Sequence, residues 1–223
     1  MPRSIRLPLG AAVLVVNAVQ WVVCEAITAA AWTDPPYSYA SNYISDLGVP
    51  VCGTRFQGRD ICSPDHALMN ASFMAEGILF ALGVVLLARL VTGRTRRVVV
   101  ALALAHGVGM VLVGLFHGSR DGVSIGLAIH GGGAAVGILC ANALAIVVGS
   151  LRSLGLALAY RVFSIAVGTL GLVSEAFVGA SAGTAGVFER GGVYSWLLWS
   201  SVTGVLLLAG RPRRPAVVER GAA

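Results

Sequence analysis

Three histidines, His66, His117 and His130, fall at one level on successive apolar segments, and Ser45 and Asp46 stand in the long polar stretch before them. Imidazoles beside carboxylates hold zinc or another divalent ion. A hydroxyl, a carboxylate and an imidazole are also the parts of a nucleophilic hydrolytic site. Ser45, Asp46, His66, His117 and His130 are therefore the catalytic candidates, and the three histidines are the metal candidates, with zinc the possible ion. Their spacing matches no H-E-x-x-H pattern. For each histidine, His106 included, the alternative is a buried ring hydrogen-bonded for structure alone.

Further ionisable residues lie inside apolar runs. At about 1.5 Å per helical residue, Glu175, Glu25 and His130 sit roughly 8–10 Å below the end that carries Asp46. Glu76 and His106 lie at about 15 Å and Asn17 at about 22 Å on the same scale. Charged groups in lipid are costly and face a bundle interior. The expected arrangement is a polar funnel open at that end. Its ligand-binding residues would be Asp46, His66, Asn70, Glu25 and Glu175, with Glu189 and Arg190 at the rim and Asp121 near His117.

The elements that must position these groups follow from composition. The chain is 57% apolar and 12% charged, about half the charged fraction of soluble domains. Six apolar runs, near residues 7–32, 66–90, 98–116, 124–149, 162–180 and 193–210, each approach the roughly 20 residues that cross a bilayer. The predicted fold is all-α: a six-helix transmembrane bundle over residues 1–210, followed by a basic tail, 211–223. Every basic residue is Arg, and twelve of the sixteen fall at alternate ends of the runs. Basic loops stay in the cytoplasm, which places both termini inside and the 33–65 loop outside, in a bacterial plasma (inner) membrane. This distribution reads as topology signal and contact with anionic lipid, not as a nucleic-acid surface.

The first run is too long for a signal-peptide core of 7–15 residues. It also carries Asn17, Gln20, Cys24 and Thr28 on one helical stripe, as a retained helix facing partners would. In the external loop, Cys52 and Cys62 are placed to form a disulfide, since disulfides persist outside the cytoplasm. Ser164, Gly168 and Gly171, and likewise Gly131–Gly133 with Gly137, form small-residue stripes suited to close helix packing.

Several motifs run in order along the chain. Ser41-Asn42-Tyr43-Ile44-Ser45-Asp46-Leu47-Gly48 comes first, then His66-Ala67-Leu68-Met69-Asn70-Ala71-Ser72-Phe73. Gly114-Leu115-Phe116-His117, His130-Gly131-Gly132-Gly133 and Glu189-Arg190 follow. This set resembles the prokaryotic membrane-protein family known as domain of unknown function 998, over about residues 7–208. The resemblance implies six helices. After Gly114-Leu115-Phe116 the family often shows an acidic Pro-x-Asp turn, where this chain has His117-Gly118-Ser119-Arg120-Asp121. The Ile44-Ser45-Asp46-Leu47-Gly48 loop is also remotely similar to the Frag, DRAM and Sfk group, which implies lipid as a ligand class.

Nucleotide-binding loops, Rossmann glycines and haem-attachment motifs are absent. Four functions remain: an outward-facing lipid-binding or lipid-handling protein; a metal-dependent membrane hydrolase acting on lipid; a proton-coupled transporter; and a scaffold with a protein partner or a homo-oligomer. The topology has a direct check. A reporter enzyme fused after Gly210 is expected to be active only in the cytoplasm, and periplasmic activity of that fusion rejects the even number of spans.

Overall fold

The computed structural model describes residues 3–56, 58–117, 125–180 and 182–210. Six helices account for most of them: α1 Arg3–Ala31, α2 His66–Leu87, α3 Gly93–Leu115, α4 Ile125–Ser150, α5 Leu158–Ala176 and α6 Ala185–Ala209. Each is long and apolar enough to cross a membrane. Consecutive helices pack side by side, and α6 returns to pack on α1, so the six close into a ring. The surface is inverted relative to a soluble protein. Val16, Val19, Val23 and Ile27 on α1 are each about half exposed, while Asn17, Glu25 and Thr28 on the same helix are buried. That pattern is what a lipid solvent selects, because lipid solvates apolar side chains and leaves polar ones to find partners inside.

Helix starts differ from the sequence expectation in one instructive place. The last span was expected from residue 193, but α6 begins at Ala185 and carries Glu189 and Arg190 within it. These charges read as loop residues in the sequence. They are tolerated in the helix because both are met by partners from distant segments. The basic tail, 211–223, and Asp121 lie outside the described residues.

The connection between α1 and α2 is ordered against the ring. A single 3-10 turn, Ser45–Gly48, buries Leu47 completely, beside Ile44 at 1% exposure. A short antiparallel hairpin follows, β1 Thr54–Phe56 with β2 Arg59–Ile61. It is the only sheet among the described residues and was not anticipated. The Cys52–Cys62 disulfide closes the hairpin at its base, with Cα atoms 4.1 Å apart. Asn70 at the start of α2 donates its Nδ2 to the Gly48 carbonyl at 2.8 Å, and Ser63 Oγ donates to the Leu47 carbonyl at 2.7 Å. The loop thus plugs one end of the ring, here the loop end. The other is the Arg-rich end.

Close helix approach rests on glycine at two crossings. A Cβ on Gly77 of α2 would lie 2.6 Å from the Gly107 carbonyl of α3, and one on Gly107 would lie 2.8 Å from the Gly77 carbonyl. Gly109 and Gly133 repeat the reciprocal contact between α3 and α4, at 2.5 and 2.8 Å. Gly131 and Gly132, expected in the same stripe, face open space. Gly107→Leu should therefore push α2 and α3 apart and lower unfolding free energy by about 1–3 kcal/mol. Gly132→Leu should leave it nearly unchanged. Thermal unfolding of the two variants in detergent checks this, and equal melting temperatures reject the close crossing.

Candidate functional site

The ionisable residues form three buried networks stacked along the ring axis. Nearest the loop end, Asp46 is buried and receives a bidentate pair from Arg59, with Nε to Oδ2 at 2.8 Å and Nη2 to Oδ1 at 3.2 Å. Asn42 Nδ2 and the Tyr43 backbone N–H complete its shell at 3.3 and 3.0 Å. The Arg59 guanidinium also lies 4.2 Å from the Tyr43 ring centroid. Asp46 of the 3-10 turn is thereby tied to β2, and the loop holds its own charge pair.

The second network joins α1, α6 and the loop. Arg190 donates from Nε and Nη2 to Glu25 Oε1 at 3.1 and 2.9 Å. Its Nη1 reaches the carbonyls of Tyr39, Asn42 and Gly186 at 2.8–3.2 Å. A further short bond runs from Nη2 to the Tyr37 hydroxyl. Burial pushes the Tyr37 phenol well above its ordinary range, against the opposing pull of Arg190. The phenol stays neutral and donates onward to the Tyr43 carbonyl at 3.0 Å. On the far side of Glu25, Trp21 Nε1 and Tyr194 OH donate to Oε2 at 3.1 and 3.0 Å. Glu189, one residue before Arg190, accepts the Ile44 backbone N–H.

The third network lies deeper and is fully buried. His106 Nε2 meets Glu76 Oε2 at 2.9 Å, and its Nδ1 faces the Gly137 carbonyl at 2.9 Å. A carbonyl only accepts, so Nδ1 carries a hydrogen, and the hydrogen between Nε2 and the carboxyl belongs to the pair. Asn17 Nδ2 and Trp196 Nε1 both donate to Glu76 Oε1 at 3.1 Å. Five of the six helices take part in this third network, α5 being the exception.

These contacts correct the expected funnel. Asp46, Glu25, Glu189 and Arg190 are consumed by partners and fill the loop end instead of lining an opening. Among the described residues a chamber of ≈ 20 Å³ lies beside them, bordered by Ser45, His130 and Glu189 over Trp21 and Trp196. That is room for about one water molecule. His130 Nδ1 donates to the Val113 and Phe116 carbonyls at 3.1 and 2.6 Å, which leaves Nε2 as the acceptor when the ring is neutral. His66 is set apart at the start of α2, with Nδ1 on the Ser63 carbonyl at 3.1 Å. His117 follows the end of α3 and lies within electrostatic reach of His130. No group of three or more His, Cys, Asp or Glu among the described residues is placed to hold a metal ion. His66, His117 and His130 are thus not brought together as a zinc-binding set among the described residues. Glu175 stands apart from Glu25, with a buried Oε2 that has no hydrogen-bond partner, packed against Gly192 of α6.

A second cavity is one the sequence did not point to. At the Arg-rich end a cavity of ≈ 300 Å³ occupies the ring axis. All six helices contribute to its wall, including Leu14, Val84, Val99, Leu144, Tyr160 and Leu206. Trp199 forms its floor, and Phe80, 6.4 Å from Trp199 between ring centroids, separates it from the His106–Glu76 pair. Tyr160 OH and Thr203 Oγ1, bonded to each other at 2.7 Å, are polar atoms in an otherwise aliphatic wall.

A family model described as "Protein of unknown function (DUF998)" matches residues 14–206. The chain belongs to this family. The match runs from within α1 to within α6, so the loop motif around Asp46 and the Glu189-Arg190 pair lie within DUF998. No curated protein and no solved structure matches the chain. Its function is therefore argued from its own geometry.

The second network yields a measurable consequence. Glu25→Leu leaves the Arg190 guanidinium buried without its counter-ion and is expected to cost about 3–5 kcal/mol. The Glu25→Leu/Arg190→Leu double variant should cost clearly less than the sum of the single changes. Unfolding of all three in detergent measures the coupling, and strictly additive losses reject the pair as a unit.

Proposed function

We propose that this protein binds a membrane lipid, with an acyl chain held in the axial cavity at the Arg-rich end. The observation that carries this reading is the ≈ 300 Å³ aliphatic cavity itself. Its volume is at the lower bound of ligand pockets, about 300–1,000 Å³, and about twice that of an apolar cavity known to take up a benzene-sized molecule. An empty void of this kind forfeits dispersion contacts along its whole wall, whereas a hydrocarbon chain restores them. The mouth is bordered by Leu90 and Ala157, both exposed, in the α2–α3 and α4–α5 turns. A chain entering there leaves its headgroup at the membrane surface.

Positive-inside asymmetry supports a cytoplasmic position for this end, so the lipid would be taken from the inner leaflet and not from the outer face. The loop end supports the same choice, since Asp46, Glu25 and Arg190 are held in ion pairs there and the chamber beside them has room for about one water. The hydrolase reading has weaker support. Ser45 and His130 border the same chamber, but no metal-binding set of His, Cys, Asp or Glu is present among the described residues.

Filling the cavity is the test. Val148→Phe and, separately, Leu207→Trp project new bulk from α4 and α6 into the space. Both should fold with unchanged or higher melting temperature and should carry less co-purified lipid than the natural chain. Native mass spectrometry of protein extracted in mild detergent reads both. Lipid retained at the natural stoichiometry in both variants rejects the cavity as the binding site.

A further inference from the structure

We infer that the lipid held by the axial cavity is an anionic phospholipid, selected by arginines at the cavity mouth. This rests on the lipid-binding reading above and adds the headgroup class. The turns that shape the mouth are also the turns that carry charge. Ala88, Leu90 and Val91 bracket Arg89, and Leu154, Leu156 and Ala157 follow Arg152. Exposed Arg94, Arg96 and Arg97 begin α3 beside the first turn. Arg161, on the first turns of α5, is held with Nε on the Gly149 carbonyl at 2.9 Å.

Among the described residues no carboxylate is ion-paired with Arg94, Arg96, Arg97 or Arg152. The nearest along α2 is Glu76, eleven residues before Leu87 or about 16 Å up the helix, and it is fully engaged with His106, Asn17 and Trp196. Arginines in the turns that border an aliphatic shaft match one kind of molecule, an acyl chain ending in a phosphate-bearing anionic head. Arginine suits that head because its planar donors grip phosphate in pairs. A zwitterionic head would bring its own cation to the same arginines and be repelled. The same charge argues against two other occupants. The chain's own 211–223 segment carries Arg211, Arg213, Arg214 and Arg220 against Glu219 alone. A second copy would present an equally basic end.

The experiment uses the purified full-length chain in mild detergent, offered equimolar phosphatidylglycerol and phosphatidylcholine of identical acyl chains, with retained lipid read by native mass spectrometry. Phosphatidylglycerol should be retained roughly five- to tenfold over phosphatidylcholine. Arg94→Gln/Arg152→Gln should bring that ratio towards one while phosphatidylcholine retention stays constant, a split that general unfolding would not give. Equal retention of the two lipids by the natural chain overturns the headgroup inference and leaves acyl-chain binding standing. A preference unchanged in the double variant overturns the assignment to the mouth arginines. Retention of neither lipid removes the lipid-binding reading itself. Lipid uptake seen only after truncation at Gly210 would make the tail the occupant and overturn the inference.

Discussion

A guanidinium taken out of water is tolerable only if its donors are met, and Arg190 is the residue on which this structure depends for that condition. It is 7% exposed, and its three nitrogens reach Glu25, Tyr37 and three backbone carbonyls. Those partners belong to α1, to the loop after it and to α6 itself. The first and last helices of the ring are therefore joined at the same point where the loop is tied down. Breaking such a pair leaves an uncompensated charge, which costs more than the pair contributes when intact. Closure of the ring and closure of the loop end are for this reason one event in energetic terms.

Below that joint the axis is divided by aromatic side chains. Trp21 and Trp196 stand edge to face, 6.4 Å apart between centroids, and Phe80 lies 4.3 Å from the His106 ring. These side chains fill the middle of the ring, and the indole N–H groups of Trp21 and Trp196 are spent on Glu25 and Glu76. In the polar half of the axis, among the described residues, a chamber of ≈ 20 Å³ lies beside His130 and Glu189. Past Trp199 the wall turns aliphatic, and open space appears. The two ends thus differ in kind: one is crossed by buried ion pairs, the other holds an aliphatic cavity beside arginine-bearing turns.

Much of this was readable from residues alone. The six spans stand out because a bilayer demands about 20 apolar residues for each crossing, and the Asn17–Thr28 stripe correctly turned α1 towards its neighbours. The Cys52–Cys62 bridge followed from two cysteines in one polar loop. The start of α6 was not readable, because Glu189 and Arg190 look like loop residues until Glu25, 165 positions from Arg190, is known to face them. Depth placed Glu25, Glu76, His106 and His130 in the right part of the bundle. It did not say whether they open a site or cancel one another, since that depends on pairing at a distance of one hydrogen bond. Arg59 was overlooked as the partner of Asp46 for the same reason. The axial cavity was invisible, because a void is made by what six separate helices fail to fill and no residue type marks it.

The Glu25–Arg190 pair also has a meaning in time. Ribosomes add about 5–20 residues per second, so the 165 positions separating the two groups take roughly 8–33 s to synthesise. Throughout that interval α1 is already made and its carboxylate has no guanidinium to meet. The helices between them are inserted into a ring that is still open on one side. The final helix brings the counter-charge, and only then does the loop acquire the Arg190 contacts at Tyr37, Tyr39 and Asn42. A chain that stalls before α6 therefore leaves the Glu25 carboxylate of α1 without the guanidinium that neutralises it in the complete ring.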